Sequence, residues 1–254
     1  MRRSRLWRLP IVLAVVSATA TCKSGGDGTD VTGTVTLTVS LVSGNAQTAT
    51  VGQAVASAPA VKVTTSSGVA QVGVAVTFSV TGGGGTVTGG TQTTGADGSA
   101  QVGGWKLGNS AGANSLSATV ANATGSPVSF TATGTPGPAA ALAKFAGDAG
   151  TASAGAPLTT KPSVKVTDAF SNGVSGVSVV FSVASGGGSV ANGTQTTGAD
   201  GTATVGNWIL GNLAGANTLV ATVTGTALTS NTTLTFTATG VAGPIAAFTK
   251  VAGD

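Results

Sequence analysis

The chain contains no histidine, no glutamate and no tyrosine, and it has a single cysteine in 254 residues. Each absence removes chemistry. Without His or Glu, neither a nucleophile–base pair nor a transition-metal cluster can be assembled, and the plentiful Ser and Thr have no neighbour to activate them. The expectation is a non-enzyme with no catalytic, metal-binding or cofactor-binding residue and no cofactor. One cysteine excludes an intrachain disulfide. Charge is scarce as well, at 7% of the chain, and all four arginines (Arg2, Arg3, Arg5, Arg8) precede residue 9. Beyond them seven Lys balance seven Asp. A neutral body with scattered Lys has no basic stripe, which argues against nucleic acid as a partner despite the surplus of positive charge in the whole chain. Outside the first two dozen residues no segment repeats apolar residues at the helical period.

Gly, Thr, Ser, Val and Ala fill the space these absences leave. Thr and Val suit pleated, half-buried positions, while Gly and Asn supply turns. The sequence also repeats. Phe78 recurs at Phe181, Gln92 at Gln195 and Trp105 at Trp208, a spacing of 103 residues. A period of that length is one small domain rather than one unit of a solenoid. The expected organisation is a signal peptide over 1–21, a flexible tether over 22–33, one domain over 34–135, a second over 136–240, and the start of a truncated third repeat over 241–254. The last segment is expected because Gly243-Pro244-Ile245 and the residues after it match Gly137-Pro138-Ala139 and its continuation.

Residues 1–21 read as an export signal, with an Arg-rich start and an apolar run over 9–20 too short for a permanent membrane span. Two cleavage patterns overlap there. Ala18-Thr19-Ala20 fits a small-x-small site, and Thr19-Ala20-Thr21-Cys22 resembles a bacterial lipobox. Cys22 is the candidate lipidation site, since an unpaired thiol in an exported chain calls for a reason and a polar, Gly-rich tether follows it. A multiply acylated Cys22 would anchor the chain in a membrane, each buried CH₂ contributing about 0.8 kcal/mol. The alternative is a secreted chain with an idle thiol.

From about Val35 the pattern alternates with period two, most clearly through Val74, Val76, Phe78 and Val80 and again through Val177, Val179, Phe181 and Val183. About seven short strands in about 100 residues is the size and count of an immunoglobulin-like sandwich. The fold class expected is therefore all-β, with tandem immunoglobulin-like β-sandwich domains. The pairs Asp97-Gly98 and Asp200-Gly201 read as turns and suit hairpin connections. Ala100 and Val102 share one parity while Trp105 and Leu107 share the other. Both sets face inward only if a residue is absorbed between them, so a β-bulge or bend is expected at Gly103-Gly104 and at Gly206-Asn207.

The structural core candidates are Trp105, Trp208, Phe78, Phe181, Phe130 and Phe236. For the two tryptophans a second reading stands beside the core, as platforms on which a sugar could stack. Asp97 and Asp200 carry the rival reading of calcium ligands, one per domain, against turn chemistry. The glycine runs at 82–85 and 186–188 lack the helix and Lys-Ser/Thr that a phosphate cradle needs.

The ordered series Val166-Thr167-Asp168, Asn172-Gly173, Gly186-Gly187-Gly188, Thr196-Thr197-Gly198-Ala199-Asp200-Gly201, Trp208 and Ala214-Gly215-Ala216-Asn217 resembles the bacterial Ig-like (Big-1) domain of the intimin/invasin family. The resemblance covers residues 34–240. The first copy departs from it at Thr65-Ser66-Ser67-Gly68, where the Asp-x-x-x-Asn-Gly turn is missing. It implies an extracellular stalk or spacer, or an adhesion-type protein, at the surface or outer membrane of a bacterium, lipid-anchored or secreted. Receptor binding is not implied, since the outer-membrane barrel and lectin-like domain of the intimins have no counterpart here. The partners expected are the membrane, through the lipid anchor, and a host or neighbouring-cell surface protein or glycan. The rival reading is a glycan- or protein-binding module that works through exposed loops. Either way, a functional surface is to be sought where the two copies differ.

Overall fold

The computed structural model describes residues 35–226 and 228–243, all within one compact unit that begins at Val35. The expectations for the signal peptide, the tether and Cys22 lie outside the described residues, as does all but the first three residues of the third repeat.

The first repeat forms eleven strands: β1 (Leu37–Ser43), β2 (Gln47–Thr50), β3 (Ala60–Thr65), β4 (Ala75–Gly82), β5 (Thr86–Thr88), β6 (Thr91–Thr93), β7 (Ser99–Gln101), β8 (Gly104–Lys106), β9 (Gly112–Thr119), β10 (Ala123–Thr124) and β11 (Val128–Thr135). They pair into one sheet of order β10-β1-β3-β7 and a second of order β2-β11-β9-β4-β6, with a separate β5-β8 pair. The second repeat follows the same plan: β12 (Ala141–Ala146), β13 (Gly150–Ser153), β14 (Ser163–Thr167), β15 (Ser178–Ser185), β16 (Ser189–Ala191), β17 (Thr194–Thr196), β18 (Thr202–Thr204), β19 (Asn207–Ile209), β20 (Gly215–Thr224) and β21 (Thr233–Val241). Its sheets run β12-β14-β18 and β13-β21-β20-β15-β17, with β16 paired to β19. Each repeat is an all-β, immunoglobulin-like sandwich of two packed sheets.

Alternation along the strands builds the two cores. In β4, Val76 and Phe78 are buried while Ala75, Thr77 and Ser79 face solvent. Leu116 and Ala118 of β9 and Phe130 and Ala132 of β11 complete that layer, with the Phe78 and Phe130 rings 6.5 Å apart and tilted by 44°. Val179, Phe181, Leu219, Ala221, Phe236 and Ala238 do the same in the second repeat. The two sets of buried apolar residues form separate clusters, one per sandwich. Removing such surface from water contributes about 25 cal/mol per Å², so each sandwich has its own driving force for folding.

One local expectation is met and another differs from what the chain does. Val102 and Trp105 are both buried, and the chain bends at Gly103 between them, as it does at Gly206 in the second repeat; the residue is absorbed by that bend rather than by a β-bulge within one ladder. β7 pairs with β3 in the four-stranded sheet and ends at Gln101; β8 begins at Gly104 and pairs with β5. The same break separates β18, on β14, from β19, on β16. The parity slip is therefore a change of sheet. Asp97-Gly98 and Asp200-Gly201, however, do not close hairpins. β6 lies on β4 and β7 on β3, so the turn carries the chain from one sheet to the other, closed by Gly95 N donating to Ser99 O at 2.9 Å.

Candidate functional site at the junction of the two repeats

β14 runs between β12 and β18 and ends at Thr167, where the chain must reverse. Asp at the next position suits the reversal, because a short carboxylate can accept hydrogen bonds from backbone N–H groups two and four residues on. Asp168 Oδ1 accepts from Phe170 N and Asn172 N, each at 2.9 Å. The Asn172 amide donates to both carboxylate oxygens, at 3.2 Å and 2.9 Å. Ser171 takes the left-handed conformation at φ 68°, and Asp168 N donates to Asn172 O at 2.9 Å to close the loop. Gly173 follows, pressed so closely on the Asp200 carbonyl that any Cβ there would overlap it. The Asp200-Gly201 turn is thus the floor beneath the Asp168–Asn172 turn. Thr197, also buried, donates its hydroxyl proton to Val174 O at 2.7 Å and accepts from Val177 N at 2.9 Å, pinning the far end of the loop.

The facing side comes from the first repeat. Gly83, Gly84 and Gly85 all have positive φ, 77°, 77° and 90°, and arch over Gly108, whose own Cβ would overlap the Gly83 carbonyl oxygen. Beside them Asn114, 2% exposed, accepts from Gly108 N at 3.1 Å and donates to Gly112 O at 3.2 Å. A buried amide that is bonded at both ends fixes the loop between those glycines. The loop turns the Asn109 carbonyl and the Ala111 N–H outward.

Asn172 meets both. Its Nδ2 donates to Asn109 O at 2.8 Å and its Oδ1 accepts from Ala111 N at 2.8 Å. Gly137, in the linker, donates its N–H to Asp168 Oδ2 at 2.8 Å. The Phe170 ring edge lies over Gly52, with Cε2 3.4 Å from where a Cβ on that glycine would stand. The turn therefore grips the preceding sandwich by its backbone and the linker by its amide. Asp168 is 3% exposed. Burial pushes its carboxyl up, yet hydrogen bonds from the Asn172 side chain and from the Gly137, Asn172 and Phe170 amides outweigh that and hold it below the ordinary value of 3.8. Its oxygens are occupied, which leaves a calcium ion little to bind.

A folded-state value below the unfolded one means that the ionised form supports the junction above pH 3.8 and that this support is lost as pH falls through the lowered value. Small-angle scattering between pH 7 and 3 is expected to show the wild-type chain loosening only below the ordinary carboxylate range. Asp168→Asn should be loose already at pH 7. A variant as tightly joined as wild type at neutral pH would contradict the role given to the carboxylate.

The first repeat keeps the backbone of this turn and lacks its grip. Thr65, Ser67, Val69 and Ala70 stand where Asp168, Phe170, Asn172 and Gly173 do in the second. The Thr65 hydroxyl accepts from Val69 N at 3.1 Å and bonds the Ser67 hydroxyl at 2.8 Å, so the loop still closes. Val69 is 59% exposed, with its side chain in water where Asn172 would reach a neighbour.

The residues singled out in the sequence lie elsewhere. Trp105 and Trp208 are fully buried and offer no face to a sugar, and neither indole N–H has a hydrogen-bond partner. Phe78, Phe130, Phe181 and Phe236 are in the two cores. Asp97 Oδ1 accepts from Ser99 N and Asp200 Oδ1 from Thr202 N, each at 3.0 Å, and these bonds lower both carboxyls. Gly98 and Gly201 follow them at φ 78° and 80°. Among the described residues no three Asp or Cys side chains gather as a metal site. A shallow cleft lined by Gly85, Thr86, Lys106, Leu107, Gly108 and Asn109 contains one ionisable side chain, Lys106. What sequence reasoning missed is the partner of Asn172. Its only sequence signal is that the two copies part company at this turn.

The fold and the junction together define a tandem pair of immunoglobulin-like sandwiches joined end to end by a loop-to-backbone clasp. No protein-family model matches the chain, and no curated protein matches it in sequence. Several solved structures are similar. InvD of Yersinia pseudotuberculosis is 20% identical with a TM-score of 0.49, over 85% of this chain and 61% of that one. The Escherichia coli adhesin FdeC is 22% identical with a TM-score of 0.44, over 80% of this chain and 64% of that one. The D0-D1 domain of intimin is 21% identical with a TM-score of 0.30, over 80% of this chain and 94% of that one.

Proposed function

We propose that the chain is a non-enzymatic, exported stalk or spacer, or an adhesion-type surface protein, held at a bacterial surface by a lipid on Cys22 and built from Ig-like domains over 34–135 and 136–240. The observation that carries this reading is the junction. Two hydrogen bonds from one Asn side chain to the backbone of the preceding sandwich, and a third from the linker to a buried carboxylate, restrict bending where a plain linker would let the domains swing. Strands of eight to ten residues such as β4, β9 and β20 span about 25–33 Å, so each joined sandwich adds reach. The composition supports the same reading, since a surface of Thr, Ser and Asn with little charge offers no His or Glu as a general base.

The test uses the exported full-length chain on glycan arrays and on host and bacterial cells. A spacer gives no saturable binding to either. Saturable binding that maps to the loops would replace this reading with that of a glycan- or protein-binding module. Metabolic labelling with a fatty-acid analogue addresses the anchor: wild type is expected to take up label and Cys22→Ser none, and unlabelled wild type would remove the lipid from the proposal.

A further inference from the structure

The second sandwich carries, at its far end, the frame that the first uses to receive Asn172. Gly155 N donates to Gly211 O at 2.9 Å, as Gly52 N does to Gly108 O at 2.9 Å. Ala154 N donates to Val241 O at 2.8 Å, as Val51 N does to Thr135 O at 2.9 Å. Gly155 and Gly52 share the left-handed conformation, φ 75° and 69°. Gly186, Gly187 and Gly188 repeat the glycine arch, and buried Asn217 accepts from Gly211 N at 2.9 Å and donates to Gly215 O at 3.2 Å. In the loop between them Asn212 and Ala214, both exposed, occupy the positions that Asn109 and Ala111 hold in the first repeat.

This second frame is open among the described residues. Phe170 covers Gly52, but a Cβ on Gly155 would meet only Asn212 Oδ1, at 3.0 Å. Gly137 lies against Asp168, whereas a Cβ on Gly243, which begins the matching Gly-Pro linker, would meet nothing within 4 Å. The second frame is also more apolar than the first. Leu213 and Val241, 82% and 42% exposed, replace Ser110 and Thr135. Leu213 and Val241 lie at the same end, where the Gly240 backbone packs on the Leu213 carbonyl, beside the exposed Asn212 and Ala214.

We infer that this end of the second sandwich is a socket for a further Ig-like module whose first loop carries an Asp-x-x-x-Asn-Gly turn. The inference rests on the stalk reading and adds the chemistry by which the stalk lengthens. The incoming Asp takes the Gly243 N–H, and the Asn bonds the Asn212 carbonyl and the Ala214 N–H. A second copy of this chain does not fit by its first repeat, which has Thr65 and Val69 at those places, and the Asp168–Asn172 turn of its second repeat is already engaged by its own first. The first repeat therefore lacks the pair of side chains that enters such a socket.

The test lengthens the full chain so that residues 138–254 follow Gly243 a second time, and reads amide hydrogen exchange by NMR. Exchange at Ala214 is expected to slow by at least about tenfold against the unextended chain, towards the rate at Ala111. Replacing Asp168→Thr and Asn172→Val in the added module alone, the residues that the first repeat carries, should return Ala214 to its original rate. Unchanged exchange at Ala214 with Ala111 still protected overturns the socket and leaves the stalk reading standing. An unprotected Ala111 in the unextended chain strikes at the stalk reading itself. The added module and linker are the chain's own sequence in its own register, so failure of that module to fold also counts against the socket.

Discussion

Replacing Trp208 with alanine unfolds the second sandwich and leaves the first intact. Trp208 is fully buried in the core of the second sandwich, on β19, which pairs with β16 outside the two main sheets. Truncating a buried indole costs about 3–5 kcal/mol, which is most of the stability of a domain at the lower end of the ~5–15 kcal/mol range. The two cores are separate clusters, so the loss stays on one side of the linker. Calorimetry of the variant should show one transition near its wild-type temperature and one lowered or lost, and Trp105→Ala should give the mirror image. Trp208→Phe is the informative control. It keeps an aromatic ring and removes an indole N–H that already lacks a partner, so it should cost markedly less. A Trp208→Ala chain whose two transitions match wild type would show that the indole is not what holds this core.

Asn172→Ala has the largest expected effect on the arrangement of the sandwiches, while both stay folded. It deletes the bonds to Asn109 O and Ala111 N and one partner of the Asp168 carboxylate. At about 0.5–1.5 kcal/mol per hydrogen bond, the two cross-junction bonds amount to about 1–3 kcal/mol, or roughly a 5- to 150-fold fall in the ratio of docked to undocked chains. The measurements are the distance distribution from small-angle scattering, which should broaden, and exchange at the Ala111 amide, which should quicken. Val69→Ala, at the matching place in the first repeat, should alter neither. A distribution as narrow for Asn172→Ala as for wild type would mean that the linker alone sets the angle.

The sequence made some of this visible and hid the rest for physical reasons. Alternation through Val76 and Phe78, and again through Val179 and Phe181, is a local signal, and the strands β4 and β15 are where it places them. The parity slip before Trp105 was also legible, but a bulge and a change of sheet leave the same mark on one strand. Only the partner tells them apart, and for β8 that partner is β5 rather than β3. The Asp97-Gly98 turn misled in the same way, since a turn between sheets and a turn within one use the same residues. The junction was half legible. Asp168 and Asn172 stand out as a pair, but Asn172 bonds to backbone groups 61 and 63 residues earlier. A backbone acceptor has no residue type, so nothing in the first repeat announces it. The difference between the copies was the one pointer, and it pointed to a loop rather than to a contact.

The parallel pairing at the edge of each sandwich bears on how such a chain carries load. β2 lies parallel to β11 over four residue pairs, Ala132↔Gln47 to Thr135↔Thr50, and β13 lies parallel to β21 over four, Gly150↔Ala238 to Ser153↔Val241. The first of each pair is near the start of its repeat and the second at its end. Tension along the chain pulls the two strands past one another in opposite senses, so their hydrogen bonds are strained together in shear and cannot peel apart one at a time. A pull that reaches these strands thus loads four pairs at once in each sandwich, a mechanical latch between the start of the repeat and its end.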